Sequence, residues 1–163
     1  MTELGCHTKN YSFKSDTMNM KNASVCLMLL LGIMTACDNE KVVDEATLPA
    51  RAKEYVEAHF PNAAISQVVR DRDDLSVSWD VTLNNQFELE FDKAGDCYSV
   101  EAHQSEPLPD SVIPLKILEY TAENYPKAFI TSWEKDKTDQ EIKLSDQTEL
   151  VFNLSGTFLR MDQ

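Results

Sequence analysis

The stretch LSVSWDVTLNNQFELEFDKAGDCYSVEA, residues 75–102, decides the fold. Leu75, Val77, Trp79, Val81 and Leu83 alternate with Ser76, Ser78, Asp80 and Thr82, a period of two that belongs to a half-buried strand. Asn84-Asn85 is a turn signal. Phe87, Leu89 and Phe91 then alternate with Glu88, Glu90 and Asp92. Lys93-Ala94-Gly95-Asp96 turns the chain again, and Cys97 to Glu101 carries it back. The result is an antiparallel sheet with one apolar face, which needs a cover, and one acidic face open to water or a partner.

Working outward, the same pattern recurs. At a shift of 61, Val81 meets Ile142, Leu83 meets Leu144, Gln86 meets Gln147, Phe91 meets Phe152 and Gly95 meets Gly156. Upstream the shift is 65: Leu48-Pro49 falls on Ile113-Pro114, Glu54-Tyr55 on Glu119-Tyr120, and Phe60-Pro61 on Tyr125-Pro126. The matches lie on apolar, Pro and Gly positions, which points to a tandem repeat of residues 48–102 and 113–163. Between them, Glu106-Pro107-Leu108-Pro109-Asp110 reads as a stiff connector within residues 103–112. Each unit opens with a helix. Pro49 suits its first turn, Ala52, Tyr55, Val56 and Phe60 form its apolar stripe, and Pro61 stops it. Ile117, Leu118, Thr121 and Tyr125 form the second stripe. Residues 65–70 make a first strand, followed by the charged turn Asp71-Arg72-Asp73-Asp74. The expected fold class is α+β: a tandem repeat of one helix plus a four-stranded antiparallel sheet. A unit this small is marginal alone. The two should therefore join as one sheet of about eight strands, with both helices on one face.

The N-terminal third sets the compartment. Lys21 is followed by an apolar run from Val25 to Met34, too short to span a membrane and right for a signal peptide. Met34-Thr35-Ala36-Cys37 then resembles a bacterial lipobox, which makes Cys37 the expected lipidation site and first mature residue. Residues 1–36 are the expected signal peptide, of which 1–17 lie upstream of alternative starts at Met18 or Met20. Residues 37–47 are polar and read as a lipid-anchored linker. The expected location is the cell envelope, anchored to the outer membrane on its periplasmic side or at the cell surface.

Several chemistries are disfavoured. A net charge of −13 argues against nucleic acid, whose phosphates demand a basic face. His59 and His103 have no nucleophile motif around them, and no phosphate-cradling Gly loop occurs, so no catalytic residue and no cofactor is expected. His59 is placed to favour the dipole at the end of the first helix. Asp71-x-Asp73-Asp74 offers oxygen ligands but lacks the Gly and distant Glu of a calcium loop, so no metal site is expected there. Cys97 reads as a structural thiol. Trp79 belongs to the apolar face, while Trp133 stands at the place of Val68 and is ambiguous.

The Leu-Pro, helix, Phe-Pro-x-Ala-x-Ile and Glu-Leu-Glu-Phe-Asp-x-x-Gly sequence resembles the PepSY-like proteins, which are also described as resembling the beta-lactamase-inhibitor protein. The resemblance implies tandem helix-plus-sheet units and an inhibitory or binding role without turnover. It transfers no inhibitory residue. Asp71, Asp73, Asp74, Glu88 and Glu90 are the candidate partner-binding residues, for a protein or peptide partner of an otherwise monomeric chain. The alternative is an acidic protein that sequesters cations or another ligand. The second unit has Thr148, Val151 and Asn153 where the first has Phe87, Glu90 and Asp92, so its open face should be less acidic.

Overall fold

The computed structural model describes residues 40–72, 76–103 and 106–162. The expected signal peptide over residues 1–36, the expected lipidation site Cys37, and Asp73 and Asp74 lie outside the described residues. Nine strands run in sequence order across one antiparallel sheet. They are β1 (Lys41–Val42), β2 (Ile65–Arg72), β3 (Val77–Leu83), β4 (Phe87–Asp92), β5 (Cys97–Ala102), β6 (Ile130–Lys135), β7 (Asp139–Leu144), β8 (Glu149–Asn153) and β9 (Phe158–Asp162). Helices α1 (Ala50–His59) and α2 (Leu115–Asn124) precede β2 and β6.

Alternation places Val68, Val81, Leu89, Phe91, Val100, Ile142, Leu150 and Phe152 on one face, all essentially buried. Both helices cover that face. Tyr55 of α1 meets Phe91 edge-on at 5.7 Å between ring centres, and Tyr120 of α2 meets Phe152 in the same way at 5.3 Å. Burying a Phe of this kind contributes about 3 kcal/mol. Both tryptophans are core: Trp133 Nε1 donates to Gln140 Oε1 at 3.1 Å, and Arg70 lies over the Trp79 ring.

The recurrence read from the sequence has backbone counterparts. Pro49 and Pro114 flank the helices just outside their first turns, at φ −53° and −56°. Phe60 and Tyr125 end them at the same φ −130° and ψ 54°. The ladders shift register at Ile65/Gln67 and at Ile130/Ser132, then at Glu90/Phe91 and at Val151/Phe152. Gln86 and Gln147 both take positive φ in the hairpin turns. The next turns are stitched alike: Asp92 Oδ1 accepts from Ala94 and Asp96 N–H groups, as Asn153 Oδ1 does from Ser155 and Thr157. Gly95 and Gly156 follow at φ +85° and +79°, a region that disfavours any side chain.

Four expectations change. The sheet has nine strands, because Lys41 and Val42, inside the segment read as a linker, pair with Arg70 and Val69. Two residues carry no readable period. Strand β2 runs on to Arg72, so Asp71 and Arg72 belong to the ladder opposite Ser78 and Val77. The connector is not only a spacer: Leu108 and Val112 are buried, and the Leu108 N–H bonds to the Ile130 carbonyl. Finally, burial lowers the pKa of His59, which favours a neutral ring rather than a cation for the helix dipole. Its Nδ1 lies 3.0 Å from Ser111 Oγ, tying the end of α1 to the turn before α2.

Candidate functional site: the helix-free sheet face

Residues between the core positions point to the face that neither helix covers. Register alone builds a row across it: Asp80 opposite Glu90, Glu90 opposite Ser99, Ser99 opposite Glu134, and Glu134 opposite Glu141. Five adjacent strands about 4.8 Å apart thus carry four carboxylates in a line. Asp80 with Glu90, and Glu134 with Glu141, are like-charge pairs directly across a ladder, which is destabilising.

The environment bears this out. Burial raises the pKa of Glu134, and the Glu90 and Asp136 charges raise it further. Glu141 is raised by burial, then by Glu149, Asp162 and Glu134, with Arg160 partly offsetting them. Tyr98, also raised by burial, hydrogen-bonds Glu90. Several cations of this face are engaged elsewhere. Lys143 pairs with Glu149 at 3.4 Å and Arg160 with Asp162 at 2.9 Å. His103 Nε2 sits 2.8 Å from Glu88, which raises its pKa.

Of the residues expected to bind a partner, Glu90 lies in this row, and Glu88 lies in the next one, bound to His103. Asp71 stands opposite Ser78 nearer the β2–β3 end, with its Oδ1 buried and unpaired. Sequence reasoning passed over Glu134 and Glu141. Glu141 was findable, since it is the counterpart of Asp80 at the shift of 61. Glu134 was not, because it joins the row only through the β5–β6 pairing. The second unit is less acidic along β8, where Val151, in the place of Glu90, is buried. Among the described residues, no three His, Cys, Asp or Glu side chains converge to hold a metal. No described helix is long and apolar enough to cross a membrane.

Tyr55 and Cys97 mark the opposite face. Burial pushes the Cys97 thiol up to about 12 while it hydrogen-bonds Tyr55 and the Ser99 carbonyl.

The family described as "Putative beta-lactamase-inhibitor-like, PepSY-like" matches residues 33–79 and again residues 77–160. The chain belongs to this PepSY-like family. Among solved structures, a "putative calcium-regulated periplasmic protein" from Bacteroides thetaiotaomicron is similar at TM-score 0.72 and 31% identity. That match covers 76% of this chain and 97% of the other. A "putative periplasmic protein" of the DUF2874 family from Bacteroides vulgatus matches at TM-score 0.72 and 32% identity, over 78% of this chain and 99% of its own. A second Bacteroides vulgatus protein, described as a "putative periplasmic protein of unknown function", matches at TM-score 0.72 and 26% identity, over 76% of this chain and 99% of its own. No curated protein matches the chain. Neither the family description nor those of the neighbours names a catalytic activity.

Proposed function

We propose that this PepSY-like protein is a non-enzymatic binding or inhibitory module of the cell envelope, lipid-anchored through Cys37, that engages a cationic protein or peptide through its helix-free sheet face. The observation that carries the reading is the line of Asp80, Glu90, Glu134 and Glu141. Its members are spread one to a strand and repel one another. An extended basic segment laid across the strands would relieve that repulsion at each step. The carboxylates of Asp71, Asp73 and Asp74 are proposed to contribute at the hairpin. The periplasmic neighbours and the lipobox-like Met34-Thr35-Ala36-Cys37 support the envelope placement. The recurring backbone details support two copies of one helix-plus-four-strand unit, with β1 added at the edge.

The test is recovery of partners from envelope extract on the chain from Asp38 onward, compared with a Glu90→Gln, Glu134→Gln, Glu141→Gln triple variant. Partners lost from the triple variant support the reading, and identical recovery by both baits defeats it. A third bait with Asp71, Asp73 and Asp74 changed to Ala assigns or removes the hairpin.

A second reading, cation sequestration, draws on the calcium-regulated description of one neighbour and on the raised Glu134 and Glu141. A cation specific to the native state must raise the melting temperature. Calcium chloride up to millimolar concentration without such a rise removes this reading.

A further inference from the structure

The two edges of the sheet are unlike. One is β1, two residues long; the other is β9, a five-residue strand that carries Leu159 and Met161 at 50% and 47% exposure. An edge with apolar side chains and free backbone groups is a template for another strand. At the shift of 61, β9 is the counterpart of β5, and both bulge at the same point against the preceding strand. Strand β5 is not an edge. Its far side receives β6, with Ser99, Val100 and Glu101 opposite Glu134, Trp133 and Ser132, and Val100 is fully buried there. Arg160, Met161 and Asp162 hold the same places on β9, which among the described residues has no strand on its far side.

We propose that β9 pairs antiparallel with β9 of a second copy of this chain, across a two-fold axis at Met161. This departs from the monomer expected from sequence. The occupant is chosen by charge register. Centring the axis on Met161 sets each Arg160 opposite the second copy's Asp162, and the two Met161 side chains opposite each other. Arg160 and Asp162 already bond within one copy, Nε and Nη2 to the carboxylate at 3.0 and 2.9 Å, so the charges are held on one face in the geometry the exchange needs. A two-fold pairing of this kind uses the same patch twice and closes at two copies. The short β1 edges are left at the outer ends of an eighteen-stranded sheet, twice the nine of one copy.

The experiment is sedimentation equilibrium on the chain from Asp38 onward, which holds every described strand and helix, at about 0.15 M salt. The wild-type chain is expected to be a dimer. Arg160→Asp alone sets carboxylate against carboxylate, and Asp162→Arg alone sets guanidinium against guanidinium. Each should weaken the dimer about tenfold or more. The exchange variant carrying both substitutions restores opposite charges and should restore the dimer. Met161→Lys, a common edge guard, should give a monomer. Far-UV circular dichroism checks that each variant is folded. A wild-type chain monomeric up to about 1 mM overturns the proposal. So do single variants that dimerise like wild type, or a folded exchange variant that stays monomeric.

Discussion

Replacing Gly95 by Ala should destabilise the protein more than replacing Gly156, although the two glycines occupy equivalent turns. Both have positive φ, +85° and +79°, so each Ala carries a shared backbone cost of about 1–2 kcal/mol. The difference lies in what the new methyl meets. At Gly95 it would stand 2.8 Å from Pro49 Cβ and 3.0 Å from the Ala52 backbone nitrogen. Neither can move unless the first turn of α1 lifts off the sheet. At Gly156 a single atom, Lys116 Cβ, is tight at 3.0 Å, and the next two, Lys116 Cδ and Ile117 Cγ1, lie at 3.6 and 3.8 Å in ordinary contact. Overpacking against fixed atoms adds about 1–3 kcal/mol, so Gly95→Ala is expected to cost about 2–5 kcal/mol in total and Gly156→Ala little beyond the shared backbone cost of about 1–2. Urea unfolding of both variants, at unchanged slope, reads the two values. Equal costs, or the reverse order, would refute the claim that the N-terminus of α1 is seated on the β4–β5 turn.

Gln140→Met removes the acceptor of Trp133 Nε1 and the donor to the Asn153 carbonyl, and should cost about 2–4 kcal/mol in urea unfolding. Adding Trp133→Phe should recover part of that loss, and purely additive costs would contradict the bond. Glu134 and Glu141 have folded-state pKa values above their unfolded ones, so the folded chain holds extra protons between those values. Their contribution to stability is therefore greatest below about pH 4.3 and is lost as pH rises through the raised values. Glu134→Gln should accordingly stabilise by roughly 0.2–1 kcal/mol at neutral pH and flatten the melting-temperature profile, whereas a destabilised variant contradicts the repulsion. Cys97 is only partly buried, but with its thiol pushed up to about 12 it should react with a disulfide reagent well below the rate of a free thiol at neutral pH, and modification at the free-thiol rate would disprove the raised pKa.

Most of the sheet could be read from residues 75–102 because a half-buried strand displays its period in every second side chain. The helices were readable for the same kind of reason, through their stripes and their Pro boundaries. What escaped had no period to show. Strand β1 is two residues long, and its existence depends on Val69 and Arg70 across the ladder. The connector looked like punctuation because Leu108 lies between two prolines, yet it packs into the core. The candidate site was half readable. Glu90 and Asp80 stand in the period of their own strands, but the line they form with Glu134 and Glu141 comes from the register between β5 and β6, strands far apart in sequence. Trp133 was undecidable alone because its neighbour Gln140 supplies the acceptor that lets an indole be buried.

If the helix-free acidic face is the binding surface, a cationic peptide must dock on it. The most direct test is a two-dimensional amide NMR titration of the chain from Asp38 onward with an oligolysine peptide. Shifts are expected to concentrate on Asp80, Glu90, Ser99, Glu134 and Glu141 and to vanish in the triple Gln variant. Shifts confined to α1 and α2, or unchanged in that variant, would contradict docking there.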